Sequence, residues 1–203
     1  MKGITIIIPT MWYHKDMLLA MLHEYHNCDL VTQILIINNR EEGSIKVSGE
    51  KIKVIGTGEN IFVNQAWNLG VSEAITDKVI LANDDIWIKN VCTLIYKMNA
   101  LMTKGKVVGL SPESFAMNGV STNPDRVTGM TYGFGVFMGI SKASYQVIPK
   151  EFKVWYGDAI QWVNNKAITI TQGVYTEMGG TSKKLDLTKE RKAERIAWNN
   201  YIK

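Results

Sequence analysis

Two adjacent carboxylates, Asp84 and Asp85, come directly after the apolar run Lys78 to Ala82 and the single residue Asn83. Neighbouring like charges at the end of a buried strand repel each other unless a cation lies beside them. Carboxylate oxygens suit a hard divalent cation, and such a cation can also bind a diphosphate. An ordinary solvated turn, in which aspartate ends the strand, explains the same residues. The local sequence leaves both interpretations open.

Apolar runs and helical patterns alternate along residues 1–110, and these elements must position the acidic pair. Short β-branched runs predict buried strands, and apolar residues at helical spacing predict helices. The predicted strands are Ile4 to Ile8, Gln33 to Ile37, Lys51 to Ile55, Lys78 to Ala82 and Lys106 to Leu110. The predicted helices are Lys15 to Tyr25, Ile61 to Ala74 and Val91 to Met102. This alternation predicts an α/β fold with a Rossmann-like, mostly parallel sheet flanked by helices.

Polar residues follow several of these strands. Parallel sheets place ligands beyond the carboxyl ends of their strands. The polar strand exits are Pro9-Thr10, Asn38-Asn39, Gly56 to Glu59 and Asn83 to Asp85. We therefore expect these exits to converge on one crevice.

The regular alternation of predicted strands and helices ends after Leu110. Ser111 to Thr128 predicts a long loop, and Tyr132 to Gly139 predicts a strand interrupted by glycines. The later predictions are a short helix over Tyr156 to Asn164, strands over Ile168 to Thr171 and Val174 to Met178, and a helix over Thr188 to Ile202. Since no linker separates the halves, residues 1–203 are predicted to form one domain whose second half adds a small, mixed antiparallel extension to the sheet.

Composition narrows the class of protein. A formal net charge of +4 over 203 residues is compatible with an anionic substrate, but Lys and Arg are too scattered to favour nucleic acid. Cys28 and Cys92 are too few for a disulfide framework or a zinc site, so we expect reduced, buried thiols in a cytoplasmic setting. The apolar run before Pro9 is too short for a transmembrane segment.

The common nucleotide-binding motifs are absent. The first strand-to-helix turn, Pro9 to Trp12, lacks the glycines with which a dinucleotide fold approaches a pyrophosphate. The sequence also has no P-loop and no Gly-x-Ser-x-Gly nucleophile elbow. A P-loop and an α/β-hydrolase nucleophile elbow are therefore excluded, and a site for NAD or FAD is disfavoured.

The order and spacing of the polar segments resemble those of family 2 glycosyltransferases with the GT-A fold. Ile6 to Thr10 resembles the opening nucleotide-binding strand, and Ile36 to Asn39 stands where the family often has an aspartate facing the base. Asn60 to Gly70 resembles a segment ending in Arg-Asn-x-Gly, with Trp67 in the place of the arginine. Asn83 to Asp85 occupies the position of the DxD motif, with asparagine at its first position.

The resemblance continues through the second half. Tyr132 to Ser141 is similar to the strand before the acceptor site, and Trp155 to Asp158 is similar to the segment that carries the catalytic base at a helix start. Val174 to Ser182 is similar to a late segment in which a histidine usually precedes Gly-Gly. Here Thr176 or Glu177 stands in the histidine's place, and Glu177 could still supply an oxygen ligand.

The resemblance implies a metal-dependent glycosyltransferase. Such an enzyme moves a sugar from a nucleoside diphosphate sugar to a hydroxyl of a glycan, lipid or protein acceptor, with inversion at the anomeric carbon. Residues 1–110 would bind the donor and residues 111–203 the acceptor. Asp85, Asp84 and Glu177 would hold Mn²⁺ or Mg²⁺. Asp158 would accept the proton of the acceptor hydroxyl.

The same resemblance implies a set of donor-binding residues, which are Pro9, Thr10, Asn38, Asn39, Asn64, Asn68, Asn83 and Asp84. Simpler roles exist for some of them: Asn64 and Asn68 also fit a polar helix face, and Asp158 also fits a helix cap. A non-catalytic module that binds a nucleotide or glycan on the same fold is the alternative function. A nucleotidyltransferase is disfavoured, because Pro9 to Trp12 lacks the glycine-rich loop of that class.

Overall fold

A computed structural model describes residues 3–42, 44–56, 58–111, 114, 120–126, 133–176 and 185–203. The strands are β1 (Ile4–Thr10), β2 (Val31–Asn38), β3 (Ile52–Ile55), β4 (Lys78–Ala82), β5 (Ile86–Ile88), β6 (Lys106–Leu110), β7 (Val120–Arg126), β8 (Phe137–Ser141), β9 (Lys166–Gln172) and β10 (Val174–Thr176). The helices are α1 (Lys15–His26), α2 (Phe62–Glu73), α3 (Val91–Leu101), α4 (Gly157–Asn164) and α5 (Thr188–Tyr201).

Within the described residues, eight strands form one sheet in the order β3-β2-β1-β4-β8-β6-β9-β7. The first four of these are parallel, and β6 is parallel to β9. By contrast, β8 runs antiparallel to β4 and β6, and β7 runs antiparallel to β9. The predicted α/β fold, with a mostly parallel sheet and an antiparallel part in the second half, is confirmed.

The strand order reverses between β1 and β4. The chain first adds β2 and β3 on one side of β1, and then crosses through α2 to add β4 on the other side. Ligands of open α/β sheets bind at such a switch point, beyond the carboxyl ends of the strands. Thr10 ends β1 and Asn83 follows β4 at this place.

The central strand β1 is mostly apolar and is buried along its whole length, because apolar layers cover both faces of the sheet. Ile6 and Ile8 pack in one apolar cluster with residues of α1 and α3, and Ile7 packs in a second cluster with residues of α2 and α4. Helix α2 lies close to β1 because residue 70 is glycine, where an added Cβ would overlap the side chain of Ile7.

Two sequence predictions about the sheet are wrong. The third predicted strand is not buried, because β3 forms an edge of the sheet and its residues Lys53 and Val54 are exposed. The stretch Ser111 to Thr128 is not one long loop, because β7 lies within it and pairs with β9. The proline in β7, Pro124, is tolerated because β7 is the other edge strand.

Cys28 and Cys92 form a disulfide bond, with their Cα atoms 5.4 Å apart. The expectation of free thiols is therefore wrong, because the turn after α1 and the first turn of α3 meet on one face of the sheet. Disulfides persist in oxidising compartments, so these cysteines do not support the expected cytoplasmic setting. Across the part of the chain that the structure describes, no helix combines the length and the apolar character needed to cross a membrane.

Candidate active site

A cavity of about 340 Å³ opens beyond the carboxyl ends of β1, β2 and β4. This volume lies within the range of roughly 300–1,000 Å³ that is usual for small-molecule sites. The predicted site residues that line it are Pro9, Thr10, Asn39, Asn83, Asp84, Asp85 and Asp158. The structure therefore brings the polar exits of three strands together with the carboxylate of α4.

Asp84 links β4 to β1 across the switch point. The Thr10 hydroxyl donates a hydrogen bond of 2.5 Å to the carboxylate of Asp84, which is 8% exposed. Burial raises the pKa of Asp84 to about 6; the neighbouring Asp85 adds to the rise, while Thr10 opposes it. A positive charge beside Asp84 would favour its ionised form. The neighbouring carboxylates of Asp84 and Asp85 thus suit a cation at the cavity.

Asp85 and Asn83 flank Asp84 on the cavity wall. The backbone N–H of Asn83 donates to the carbonyl of Val136 at 3.0 Å, so this strand exit is fixed in place. The described residues contain no group of three or more acidic, histidine or cysteine ligands around a common point. Mg²⁺ and similar cations commonly use one or two protein carboxylates together with substrate phosphates, so the oxygen donors present fit such an ion. Glu177 lies outside the described residues.

Asp158 reaches the cavity from the first turn of α4. Its Oδ1 accepts a hydrogen bond of 2.9 Å from the backbone N–H of Ala159, and the helix cap position itself is Tyr156. Burial raises the pKa of Asp158, whereas backbone N–H groups of Ala159 and Gly135 lower it. A carboxylate with a raised pKa is a stronger proton acceptor, which suits a general base.

The two asparagines that follow β2 have different environments. The Oδ1 of Asn38 accepts hydrogen bonds from Trp12 Nε1 at 2.7 Å and from the backbone N–H of Arg40 at 3.1 Å, and Asn38 is not part of the cavity lining. Asn39 lines the cavity, is only 4% exposed, and its Oδ1 has no hydrogen-bond partner among the described residues. Buried polar atoms are nearly always paired, so Asn39 is the better candidate for a ligand contact.

Asn64 and Asn68 are placed away from the cavity lining. The Nδ2 of Asn64 donates to the carbonyl of Trp155 at 2.9 Å, which ties α2 to the segment before α4. The Oδ1 of Asn68 accepts from the Tyr145 hydroxyl at 2.9 Å and from the backbone N–H of Ile148 at 3.0 Å. The Nδ2 of Asn64 and the amide group of Asn68 serve contacts between segments, and neither residue lines the cavity, although the Oδ1 of Asn64 has no hydrogen-bond partner among the described residues.

Sequence reasoning did not single out Phe62 as a site residue, although it lines the cavity. Phe62 and Tyr156 have φ angles of 63° and 64°, which is unfavourable for residues with a side chain. Such backbone strain concentrates at functional sites.

Among the aromatics near α4, Trp155 lines the cavity, whereas Trp162 packs edge-on against Phe134. The sequence gives no signal that distinguishes a tryptophan that lines the cavity from one that packs in the core.

Replacing Gly157 with alanine should destabilise the protein by about 1–3 kcal/mol, as overpacking usually does. An added Cβ would overlap the Asn64 side chain and approach Cζ3 of Trp67 to 3.0 Å. Asn64 cannot easily move, since it is bonded to Trp155. Urea denaturation measures the effect. Gly49→Ala is the matched control because Gly49 is exposed and its nearest new contact is a flexible Ile52 methyl group, so we expect a change within about 0.5 kcal/mol. Equal stability of Gly157→Ala and wild type would contradict the packing.

Comparison with solved structures identifies the fold as GT-A type. The chain superposes on GalNAc-T7, crystallised with UDP, GalNAc and Mn²⁺, with a TM-score of 0.60 and 12% identity over 87% of this chain and 44% of that one. It superposes on residues 1–349 of TarS from S. aureus, in complex with UDP, with a TM-score of 0.62 and 12% identity over 85% of this chain and 59% of that one.

A third structural match is mannose-1-phosphate geranyltransferase from Thermus thermophilus, with a TM-score of 0.52 and 13% identity over 70% of this chain and 58% of that one. The chain thus spans about half the length of the structures that it matches. No family model matches the sequence, and no curated protein matches it. At these identities the comparisons establish the fold.

Proposed function

We propose that this chain is a metal-dependent glycosyltransferase, similar to family 2 enzymes, that moves a sugar from a nucleoside diphosphate sugar to an acceptor hydroxyl. The observation that supports this most directly is the cavity at the switch point of a GT-A fold, in which Thr10, Asp84, Asp85 and Asp158 meet. The UDP complexes of GalNAc-T7 and TarS make a uridine donor the first candidate.

The donor half comprises residues 1–110. Pro9, Thr10 and Asn39 line the cavity at the ends of β1 and β2 and form the proposed nucleoside-binding wall. The Oδ1 of Asn39 is an acceptor without a partner among the described residues, and an N–H group of a nucleobase would satisfy it. Asn38 supports this wall by holding Trp12.

Asp85, Asp84 and Asn83 are the proposed ligands of Mn²⁺ or Mg²⁺. When bound, a divalent cation supplies positive charge that stabilises the departing diphosphate. Without it, burial disfavours the ionised form of Asp84 and keeps the pKa of that carboxyl raised.

The role of Glu177 remains a proposal based on its position in the sequence. The end of β10 is near the acidic pair, because Thr176 pairs with Ile86, the residue after Asp85.

The acceptor half comprises residues 111–203, with Asp158 as the general base. The acceptor oxygen attacks the anomeric carbon while the bond from that carbon to the diphosphate oxygen breaks. The hydroxyl proton passes to the Asp158 carboxylate, and the diphosphate leaves with the electron pair. Attack on the face opposite the leaving group inverts the anomeric carbon. General base assistance of this kind contributes about 10²–10⁴-fold to the rate.

Wild-type protein should bind UDP at least about 10-fold more tightly with Mn²⁺ than with EDTA, because a cation held by Asp84 and Asp85 would offset the repulsion between these carboxylates and the diphosphate. Isothermal titration calorimetry measures both affinities. Uridine, which lacks the diphosphate, is the control ligand, and its affinity should not respond to Mn²⁺. Release of GlcNAc from UDP-GlcNAc, the ligand of another TarS complex, then separates an enzyme from a binding module. Binding that is equal with and without Mn²⁺ would reject the metal-dependent mechanism.

A further inference from the structure

Glu194 is a buried carboxylate on an otherwise exposed part of α5. It is 1% exposed, while its neighbours at positions 191–193 and 195–196 are exposed. Its Oε1 accepts a hydrogen bond from the backbone N–H of Val154 at 3.0 Å, and its Oε2 accepts one from the N–H of Trp155 at 2.8 Å. Burying a charge is costly unless it is hydrogen-bonded, so this carboxylate is matched to these two N–H groups.

The backbone bound by Glu194 is the segment of residues 153–156, which leads directly into α4. Asn64 holds the other side of this segment: its backbone N–H donates to the carbonyl of Lys153 at 3.0 Å, and its Nδ2 donates to the carbonyl of Trp155 at 2.9 Å. The N–H groups of Val154 and Trp155 therefore point to α5, and the carbonyl groups of Lys153 and Trp155 point to α2. Residues 153–155 belong to no described helix or strand, and the Tyr156 carbonyl accepts the N–H of Ile160 at 2.9 Å, so Glu194 and Asn64 fix the conformation of residues 153–155.

Aromatic contacts from the same face of α5 add to this attachment. Residues 191, 194 and 198 lie on one side of the helix because they are three and four positions apart. The Trp198 ring stacks on Tyr156 with a centroid distance of 5.0 Å. The guanidinium of Arg191 lies 5.8 Å from the centroid of Trp155. Helix α5 thus contacts the two aromatic residues that precede Gly157 and Asp158.

The segment has a direct connection to the candidate active site. Val154, Trp155, Tyr156 and Asp158 all line the cavity. Tyr156 has a left-handed backbone conformation at the position that caps α4, and such strain persists only where surrounding contacts hold it. Loosening the segment would therefore move the start of α4, which carries Asp158.

We propose that Glu194 is a positioning residue, which holds the 153–156 segment so that Trp155 and Asp158 face the acceptor, and that α5 thereby supports the acceptor site from outside the cavity. This inference rests on the proposed function for its catalytic consequence. The attachment itself rests on the contacts of Glu194 and Asn64 with the segment backbone.

The test compares Glu194→Gln with wild type. Glutamine keeps one acceptor oxygen but places an NH₂ group against a backbone N–H, so one half of the attachment is lost. We expect kcat for hydrolysis of UDP-GlcNAc with Mn²⁺ to fall by about 10- to 100-fold, as small misplacements of catalytic groups do. UDP affinity should stay within about twofold, since the donor wall lies on β1 and β2. Lys192→Gln is the matched control: it removes one charge from an exposed side chain of the same helix, so kcat should change less than about twofold.

Hydrogen–deuterium exchange provides a readout that does not depend on activity. In Glu194→Gln, exchange should accelerate at the amides of residues 153–158 and at the Asn64 amide, which donates to the Lys153 carbonyl, and it should stay unchanged in β1. Unchanged exchange at residues 153–158 would overturn the inference whatever the activity, and so would faster exchange with unchanged kcat. Acceleration across the whole chain, with loss of UDP binding, would make Glu194 a general stability residue and also overturn it. Failure of wild type to bind UDP counts against the proposed function alone, and the exchange result then decides whether Glu194 holds the segment.

Discussion

Replacing Asp85 with alanine should reduce sugar transfer by about 100-fold or more and abolish the Mn²⁺-dependent part of UDP binding. A catalytic cation contributes several kcal/mol to stabilising a leaving diphosphate, and each 1.36 kcal/mol is a factor of ten in rate. Asp84 cannot replace Asp85, because Asp84 is largely buried and already accepts the Thr10 hydroxyl. Activity with UDP-GlcNAc and calorimetry with UDP measure the two effects.

The Asp85→Ala protein should remain folded, since Asp85 lies in a partly exposed turn after β4. Circular dichroism and the urea midpoint check this. Asp29→Ala is the control, because it removes an exposed carboxylate of the turn between α1 and β2, outside the cavity lining. Full activity of Asp85→Ala, or UDP binding that still responds to Mn²⁺, would reject Asp85 as a ligand.

The first half of the fold could be predicted because its signals are local and strong. The β-branched runs of β1, β2 and β4 are buried on both faces, and each is followed at once by polar residues. In a parallel sheet, these residues must lie at one edge. The contact between Thr10 and Asp84 follows from that topology, although the two residues are 74 positions apart.

The remainder of the site depends on contacts between segments that are distant in the sequence, and such contacts leave no repeating pattern of apolar and polar residues. Asn64 and Asn68 have the residue type expected of donor contacts, and in the structure the Nδ2 of Asn64 and the Oδ1 of Asn68 bond to segments 77–91 positions away. The strands β5 and β10 have three residues each, too few for an alternating pattern. Glu194 resembles any charged residue of an exposed helix until α5 is placed against residues 153–156.

The donor and acceptor halves are joined through shared contacts, so a change on one side affects the other. Asn64 on α2 bonds to the segment that leads to Asp158, and Asn83 after β4 bonds to Val136, which precedes β8. A mutation that only distorts the fold would therefore alter donor binding and turnover together. Substitutions that preserve shape are needed to assign a chemical role to one residue.

Asp158→Asn is such a substitution, and it should lower kcat by about 10²–10⁴-fold while UDP affinity stays within about twofold. Asparagine keeps the Oδ1 that accepts the Ala159 N–H at 2.9 Å, but its amide cannot take the proton of the acceptor hydroxyl. Burial disfavours the charged form of Asp158, whereas the backbone N–H groups of Ala159 and Gly135 favour it, so we expect the neutral side chain to change the urea midpoint little. Because only the ionised carboxylate accepts a proton, the wild-type rate should fall on acidification, at a higher pH than an exposed aspartate would give. Steady-state hydrolysis of UDP-GlcNAc measures kcat, with Asp29→Asn as the control for losing one carboxylate. Retained turnover would remove Asp158 as the base, and loss of UDP binding would place it in the donor site instead.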